Sequence, residues 1–364
     1  MNVAGIYIDS LSVHSIWGVA GGNSLGKQYE NCNSRDMILS LEDNISPLSG
    51  HSFSRQGSHK VCSNFLPWIG STKTWGLGEL EITADHALEF FLVELFAQMP
   101  TETKFAFSLP LYLAPKQIKR IEQIASKIGM QVQGSLTSAA SLAMGKCSKS
   151  QALSNYLAAE IDGFGLSLSY VQVVDGEVHL LGGKVFPEFG SDRWVLKLTD
   201  FIAEKAILHC RKDPRVKSAT DQALFFQAQK LMSSIGARNS FKVVLEEEFW
   251  SQEFVITQAD LKRCFSGMYA SLKMRINEFI RLKCISIDDI HLACSHNIGG
   301  VPGLTSLLVH AATRGSYVTH SPEDLFHQSF ICSSAMMMAG QWWFDSIGAS
   351  SMDQFRNSIS ASKV

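Results

Sequence analysis

Three short stretches place acidic, hydroxyl or glycine residues at bends between apolar runs. The first is Asp9 to Ser12 in "GIYIDSLSVHSIWG", a small polar turn joining two short strands. The second is "AEIDGFGLSL", where Glu160 lies on a strand and Asp162 to Gly165 form a glycine turn. The third is "IHLACSHNIGGVPGLTSLL", a strand, a loop holding Gly299 and Gly300, and a helix. Glycines at a helix entrance can set backbone N–H groups around an anion, and the same pattern also makes a plain turn. Asp9 reads either as the cap of a hairpin bend or as part of a site. The eight cysteines (Cys32, Cys62, Cys147, Cys210, Cys264, Cys284, Cys294 and Cys332) form no C-x-x-C pair, and the eleven histidines show no H-E-x-x-H spacing. Reduced structural thiols and no metal cluster are the expectation.

The elements that must hold these bends follow from periodicity. Helices are expected at "TADHALEFFLVELFAQM", with Thr83 as cap and Asp85 in the first turn, and at "PKQIKRIEQIASKIG", with Pro115 at its start and Gly129 past its end. Strands "KFAFSLPLYL" and "MQVQGSL" flank the second of these. The helix "TSAASLAMG" follows, and its small side chains let a neighbouring backbone approach closely. Residues from Asn31 to Asn64 are rich in Ser, Asn, His and Gly and read as loops with one short helix. From Tyr156 a second meander repeats the first hairpin's plan. Helices, two strands and a long amphipathic helix at "ADLKRCFSGMYASLKMRINEFIRLKC" come after it, so the order suggests two duplicated lobes.

Composition limits the functions available. The 364 residues are 46% hydrophobic and 18% charged, enough for a large bilobed core. A net charge of −2 and a pI near 6.6 give no basic footprint for nucleic acid. No run reaches the ~18 apolar residues of a membrane span and no basic n-region opens the chain, so a cytoplasmic protein is expected. In "MMMAGQWWF", Trp342 and Trp343 read as core, or, if exposed, as a surface for a partner or for self-association.

Taken in order, the pieces resemble the nucleotide-binding domain of the seventy-kilodalton heat-shock (DnaK-type) chaperones, within the actin-like ATPase superfamily. "SLPLYL", "PKQIKRIEQIASKIGM" and "SLTSAASLAMG" stand where that family has V-P-A-Y-F, a charged helix and N-E-P-T-A-A-A-L-A-Y-G. "GIYIDSLSVHSIWGV" is similar to the first phosphate hairpin, "LAAEIDGFGLSLSYVQVVDGEV" to the second, and "DDIHLACSHNIGGVPGLTSLL" to the adenosine strand and helix. The resemblance implies an α/β, actin-like ATPase (ribonuclease-H-like) fold with two similar lobes about a central cleft. It divides the chain into 1–154, with a loop-rich subdomain at about 31–100, then 155–350, with a helical subdomain at about 200–285, and a tail, 351–364.

Carried over residue by residue, the resemblance implies ATP or ADP with magnesium as ligand, Asp9 holding the metal through water. Ser12 stands for the first threonine of the first hairpin, while Leu11 stands where a glycine admits phosphate and Val13 where the second threonine does. In the second hairpin Glu160 takes the acidic position, Gly163 remains of three glycines, and Phe164, Gly165 and Ser167 replace the rest. A register displaced by one or two residues puts Asp162 in the acidic position instead, and both registers stay open. Leu136 and Thr137 replace an acidic residue and a proline. Lys230 matches a basic position near adenine, with Phe226 and Gln229 replacing its companions, and two extra residues displace Gly299 and Gly300. Lys60 stands for the catalytic lysine. Phosphoryl transfer depends on metal placement and backbone donors, so five or more such losses imply a pseudo-ATPase acting as an interaction or scaffold protein with a protein partner. The alternatives are an ATP-binding, chaperone-like ATPase or nucleotide-dependent switch with an altered cleft and, less favoured, a sugar or acyl kinase. No substrate-binding domain is expected to follow.

Overall fold

The computed structural model describes residues 2–19, 29–40, 48–49, 61–77, 80–144, 153–174, 177–234, 240–247, 250–283, 285, 290–312 and 317–319. Lys60, Trp342, Trp343 and the tail 351–364 lie outside them.

The chain begins with a hairpin, β1 (Asn2–Ile8) and β2 (Ser12–Val19), extended by β3 (Tyr29–Asp36). Short strands β4 (Leu39–Ser40), β5 (Leu48–Ser49), β6 (Val61–Cys62), β7 (Thr74–Leu77) and β8 (Leu80–Thr83) follow. Helix α1 (Ala84–Phe96) starts where the Thr83 hydroxyl accepts from the His86 N–H at 3.3 Å. Strand β9 (Lys104–Leu109) leads to α2 (Pro115–Lys127), whose opening is fixed by Pro115 and by the Gln117 side chain accepting from the Ala114 N–H. Gly129, at φ +94°, closes α2 and turns the chain into β10 (Gln131–Thr137). These elements form as the periodicity predicts, with Ile118, Ile121, Ile124 and Ala125 buried.

A correction is needed between Asn31 and Asn64. Among the described residues there, those of β3, β4, β5 and β6 are strand where loops were expected, and 41–47 and 50–60 lie outside the described residues. The sequence "YENCNSRD" lacks apolar alternation, and β3 takes its extended form by pairing antiparallel with β2.

The second half repeats the pattern. Strands β11 (Leu153–Ile161), β12 (Leu166–Val174) and β13 (Glu177–Phe186) make a meander. Helices α4 (Ser191–Cys210) and α5 (Ser218–Ser234), the hairpin β14 (Ser240–Glu247) and β15 (Trp250–Thr257), and α6 (Gln258–Leu282) come next. Strand β16 (Ile290–Cys294), a 3-10 turn (His296–Gly300), α7 (Leu304–Ala312) and β17 (Tyr317–Thr319) complete it.

Two five-stranded sheets result, ordered β3-β2-β1-β9-β10 and β13-β12-β11-β16-β17. Numbered within its own half, each has the order 3-2-1-4-5. In each, the first three strands are antiparallel and the last two pair parallel beyond the first. The protein is thus a mixed α/β molecule built twice on one plan. Its first strands are buried along almost their whole length, as central strands covered on both faces must be.

Between β10 and β11 lies α3 (Ser138–Met144). It packs against strands of both sheets, and Ala139, Ala140, Leu142 and Ala143 share a core cluster with Tyr7 from one half and with Tyr156, Ala158, Val171 and Ala293 from the other. Ser141 reaches Ser108 of β9 at 2.9 Å between hydroxyl oxygens. Small side chains are what permit a helix at this junction, because two sheets close on it. Among the described residues no helix is long and apolar enough to cross a membrane.

Candidate functional site

Each half presents its first hairpin turn to the other. In the first half the pairing ends at Ile8 opposite Val13, and in the second at Ile161 opposite Leu166. The intervening residues therefore correspond: Asp9 with Asp162, Ser10 with Gly163, Leu11 with Phe164, and Ser12 with Gly165. This register answers the question the sequence left open. Asp162 holds the acidic turn position, while Glu160 stands two residues earlier, matching Tyr7.

Both aspartates build the same turn. Asp9 Oδ1 accepts from the N–H groups of Leu11 (2.8 Å) and Ser12 (2.7 Å) and from the Ser12 hydroxyl (3.2 Å). Asp162 Oδ1 accepts from the N–H groups of Phe164 and Gly165, each at 3.0 Å. Side-chain capping of this kind is a common reason for Asp at a tight bend.

The second oxygen of each aspartate joins the halves. Ser10 N–H donates to Asp162 Oδ2 at 3.0 Å, the Tyr112 hydroxyl donates to the same oxygen at 2.7 Å, and Asn297 Nδ2 donates to Asp9 Oδ2 at 3.2 Å. Phe164 N–H also donates to the Ser10 hydroxyl at 3.2 Å. Beside the turns, Asn64 Nδ2 donates to Asp192 at the start of α4. The Phe164 ring lies 4.7 Å from that of Tyr112, centroid to centroid. Beside the turns is a cavity of about 10 Å³ whose lining includes Tyr7, Asp9, Tyr112, Glu160, Asp162 and Ser167.

Burial dominates the electrostatics. It pushes Asp9 up to about 7, helped by the charge of Asp162 and opposed by the turn hydrogen bonds. Glu160 is pushed up to about 8 by burial, with Asp162 and Asp9 adding to the rise. Asp162 is raised by burial against the hydrogen bonds it accepts, and Asp192 is raised to about 6 for the same reason. Tyr7 and Tyr112 are held well above the usual phenol range by burial and the nearby carboxylates. His14, whose Nε2 lies 2.5 Å from the Ser12 hydroxyl oxygen, is lowered to about 3 by burial and by His296. Burial lowers His296 to about 4.

A magnesium-bound triphosphate does not fit this arrangement. The cavity has room for about one water, against roughly 300–1,000 Å³ for pockets that hold ligands of drug size. Both Asp9 oxygens are engaged by donors of the chain itself. Gly163, the surviving glycine, gives a phosphate no cradle, because a Cβ added there meets the Asn64 amide. Among the described residues no group of three or more His, Cys, Asp or Glu side chains is arranged to hold a metal ion.

Of the residues singled out in sequence, Asp9, Ser12, Glu160 and Gly163 come together around the turns. Gly299 and Gly300 are exposed at the end of the 3-10 turn, with open space where a Cβ would stand, and it is their neighbour Asn297 that reaches Asp9. Lys230 is exposed on α5. Sequence reasoning missed Tyr7, Ser10, Asn64, Tyr112 and Asn297. The available signals were slight: Tyr112 follows the strand-ending Pro110 by two residues, and Asn297 precedes the glycine pair by two. No family model matches this chain, and no curated protein matches it in sequence.

Proposed function

We propose that this chain is a DnaK-like, actin-fold protein whose cleft no longer takes nucleotide, and that it acts through its two halves as an interaction or scaffold protein. The doubled 3-2-1-4-5 sheets, with their first turns facing one another, support the fold. The small-residue helix between the sheets supports it too.

One observation carries the functional reading: the two turns bond directly to each other, Ser10 to Asp162 and Phe164 to Ser10, where phosphates and metal would have to lie. A protein partner and a cytoplasmic setting belong to this proposal, on the balanced charge and scattered thiols of the sequence.

Melting curves with and without saturating magnesium-ATP or magnesium-ADP test it, since a ligand that prefers the native state must raise the melting temperature. An unchanged melting temperature is expected with either nucleotide. A rise of several degrees contradicts the reading and favours the alternative, a nucleotide-binding ATPase or switch whose crevice opens to admit its ligand.

A further inference from the structure

Three carboxylates meet at the junction of the halves: Asp9 from the first, Glu160 and Asp162 from the second. Their exposures are 2%, 8% and 5%, and all three border the same 10 Å³ cavity. Glu160 Oε2 is buried and, among the described residues, has no hydrogen-bond partner.

The groups facing this cluster come from every element around it. Tyr7 lies on β1, Ser12 and His14 at the start of β2, Tyr112 in the loop after β9, Ser138 on α3 and Ser167 on β12. His296 and Asn297 lie on the 3-10 turn, and Asp192 with Arg193 at the start of α4. Among the described residues, none of the hydrogen-bond donors to the three carboxylates is a lysine or arginine. Arg193 acts on Asp192. Three mutually close buried carboxylates cannot all ionise without a counter-charge. In a space of about one water, the counter-charge that fits is the proton.

We propose that the two halves are held shut by protons carried on the Asp9, Glu160 and Asp162 cluster, so that closure of the crevice is governed by pH. Losing those protons sets like charges against each other across the junction, Asp9 on one side and Glu160 and Asp162 on the other. The hydrogen bonds that Asp9 and Asp162 accept favour the ionised acids, and burial together with mutual repulsion outweighs them. The sign follows from burial raising both acids. Folded-state values for Asp9 and Glu160 near 7 and 8 lie above the ordinary carboxylate range, so the stabilisation is full below about pH 4, falls as pH rises from there, and is exhausted once pH has passed 7 to 8. His14 and His296 are held low and are neutral across that interval, so they add no opposing charge.

This inference rests on the reading that no nucleotide closes the crevice, and the two fail separately. A nucleotide-induced rise in melting temperature overturns that reading, whereas the test here is made without nucleotide. Amide exchange is followed by mass spectrometry from pH 6.5 to 8.5 and corrected for the intrinsic pH dependence. Protection at residues 9–12 and 162–165 is expected to fall by roughly tenfold or more across this range and to level off above it, because each acid costs closure about tenfold per pH unit only between its open-form and closed-form pKa values. Protection within α6, inside the second half's own core, is expected to hold. Glu160→Gln, which keeps the shape of the protonated acid, is expected to flatten the profile. An unchanged wild-type profile, or a Glu160→Gln profile superimposable on it, overturns the proposal. If Glu160→Gln does not fold, solution scattering of the wild type decides: the radius of gyration must rise over the same interval, and a constant radius overturns the proposal.

Discussion

At the scale of single residues, two glycines of the crevice face steric demand from other chain segments. Gly163 faces the Asn64 amide, and Gly190 faces the backbone of the turn itself, where an added Cβ would stand 2.6 Å from the Gly163 carbonyl oxygen and 2.7 Å from the Phe164 carbonyl carbon. The end of a side chain can swing aside, and a backbone carbonyl cannot. Gly163→Ala is therefore expected to cost about 1–3 kcal/mol, largely by displacing Asn64 from Asp192, and Gly190→Ala is expected to cost more. Denaturant titration of both variants checks the order, and a milder Gly190→Ala contradicts it. Adding Asn64→Ala to Gly163→Ala should recover part of the loss, because residues in direct contact couple. Asp9 was legible in the sequence as a turn residue or a ligand, and the turn role is the one its Oδ1 performs. The choice between Glu160 and Asp162 was not legible. Two acids two residues apart at one strand end differ only in where the hairpin pairing stops, and that depends on partners along the chain.

At the scale of elements, α3 is where the sequence spoke most clearly. A helix reading Ser-Ala-Ala-Ser-Leu-Ala after a strand tells of two surfaces closing on it, and the structure seats it between the sheets. Ala139 is fully buried there, so Ala139→Leu is expected to destabilise by about 1–3 kcal/mol through overpacking. A leucine at Ser126 instead, exposed near the end of α2, is expected to be nearly neutral. Equal effects at the two positions, measured by denaturant midpoint, contradict the junction role of α3. The helix ends were equally readable, since Thr83, Pro115 and Gly129 each act locally. Strand β3 was not, because nothing in "YENCNSRD" alternates and its conformation comes from β2 beside it.

At the scale of the whole molecule, the doubled plan could be suspected from two hairpin openings in order, yet only the strand pairing makes it plain. The closure of the crevice was half legible. Leu11 and Phe164 stood out in the sequence, whereas the polar groups from distant segments that join the turns did not. Tyr112, Asn297 and Ser10 reach the opposing turns across 50, 288 and 152 positions of sequence, and no local pattern announces such pairings. The central claim is that the two turns bond to each other in place of a ligand. A crystal structure grown in saturating magnesium and a non-hydrolysable ATP analogue tests it most directly. The account predicts Ser10 still bonded to Asp162 and no triphosphate between the turns; an ordered triphosphate there, with the Ser10–Asp162 bond broken, would contradict it.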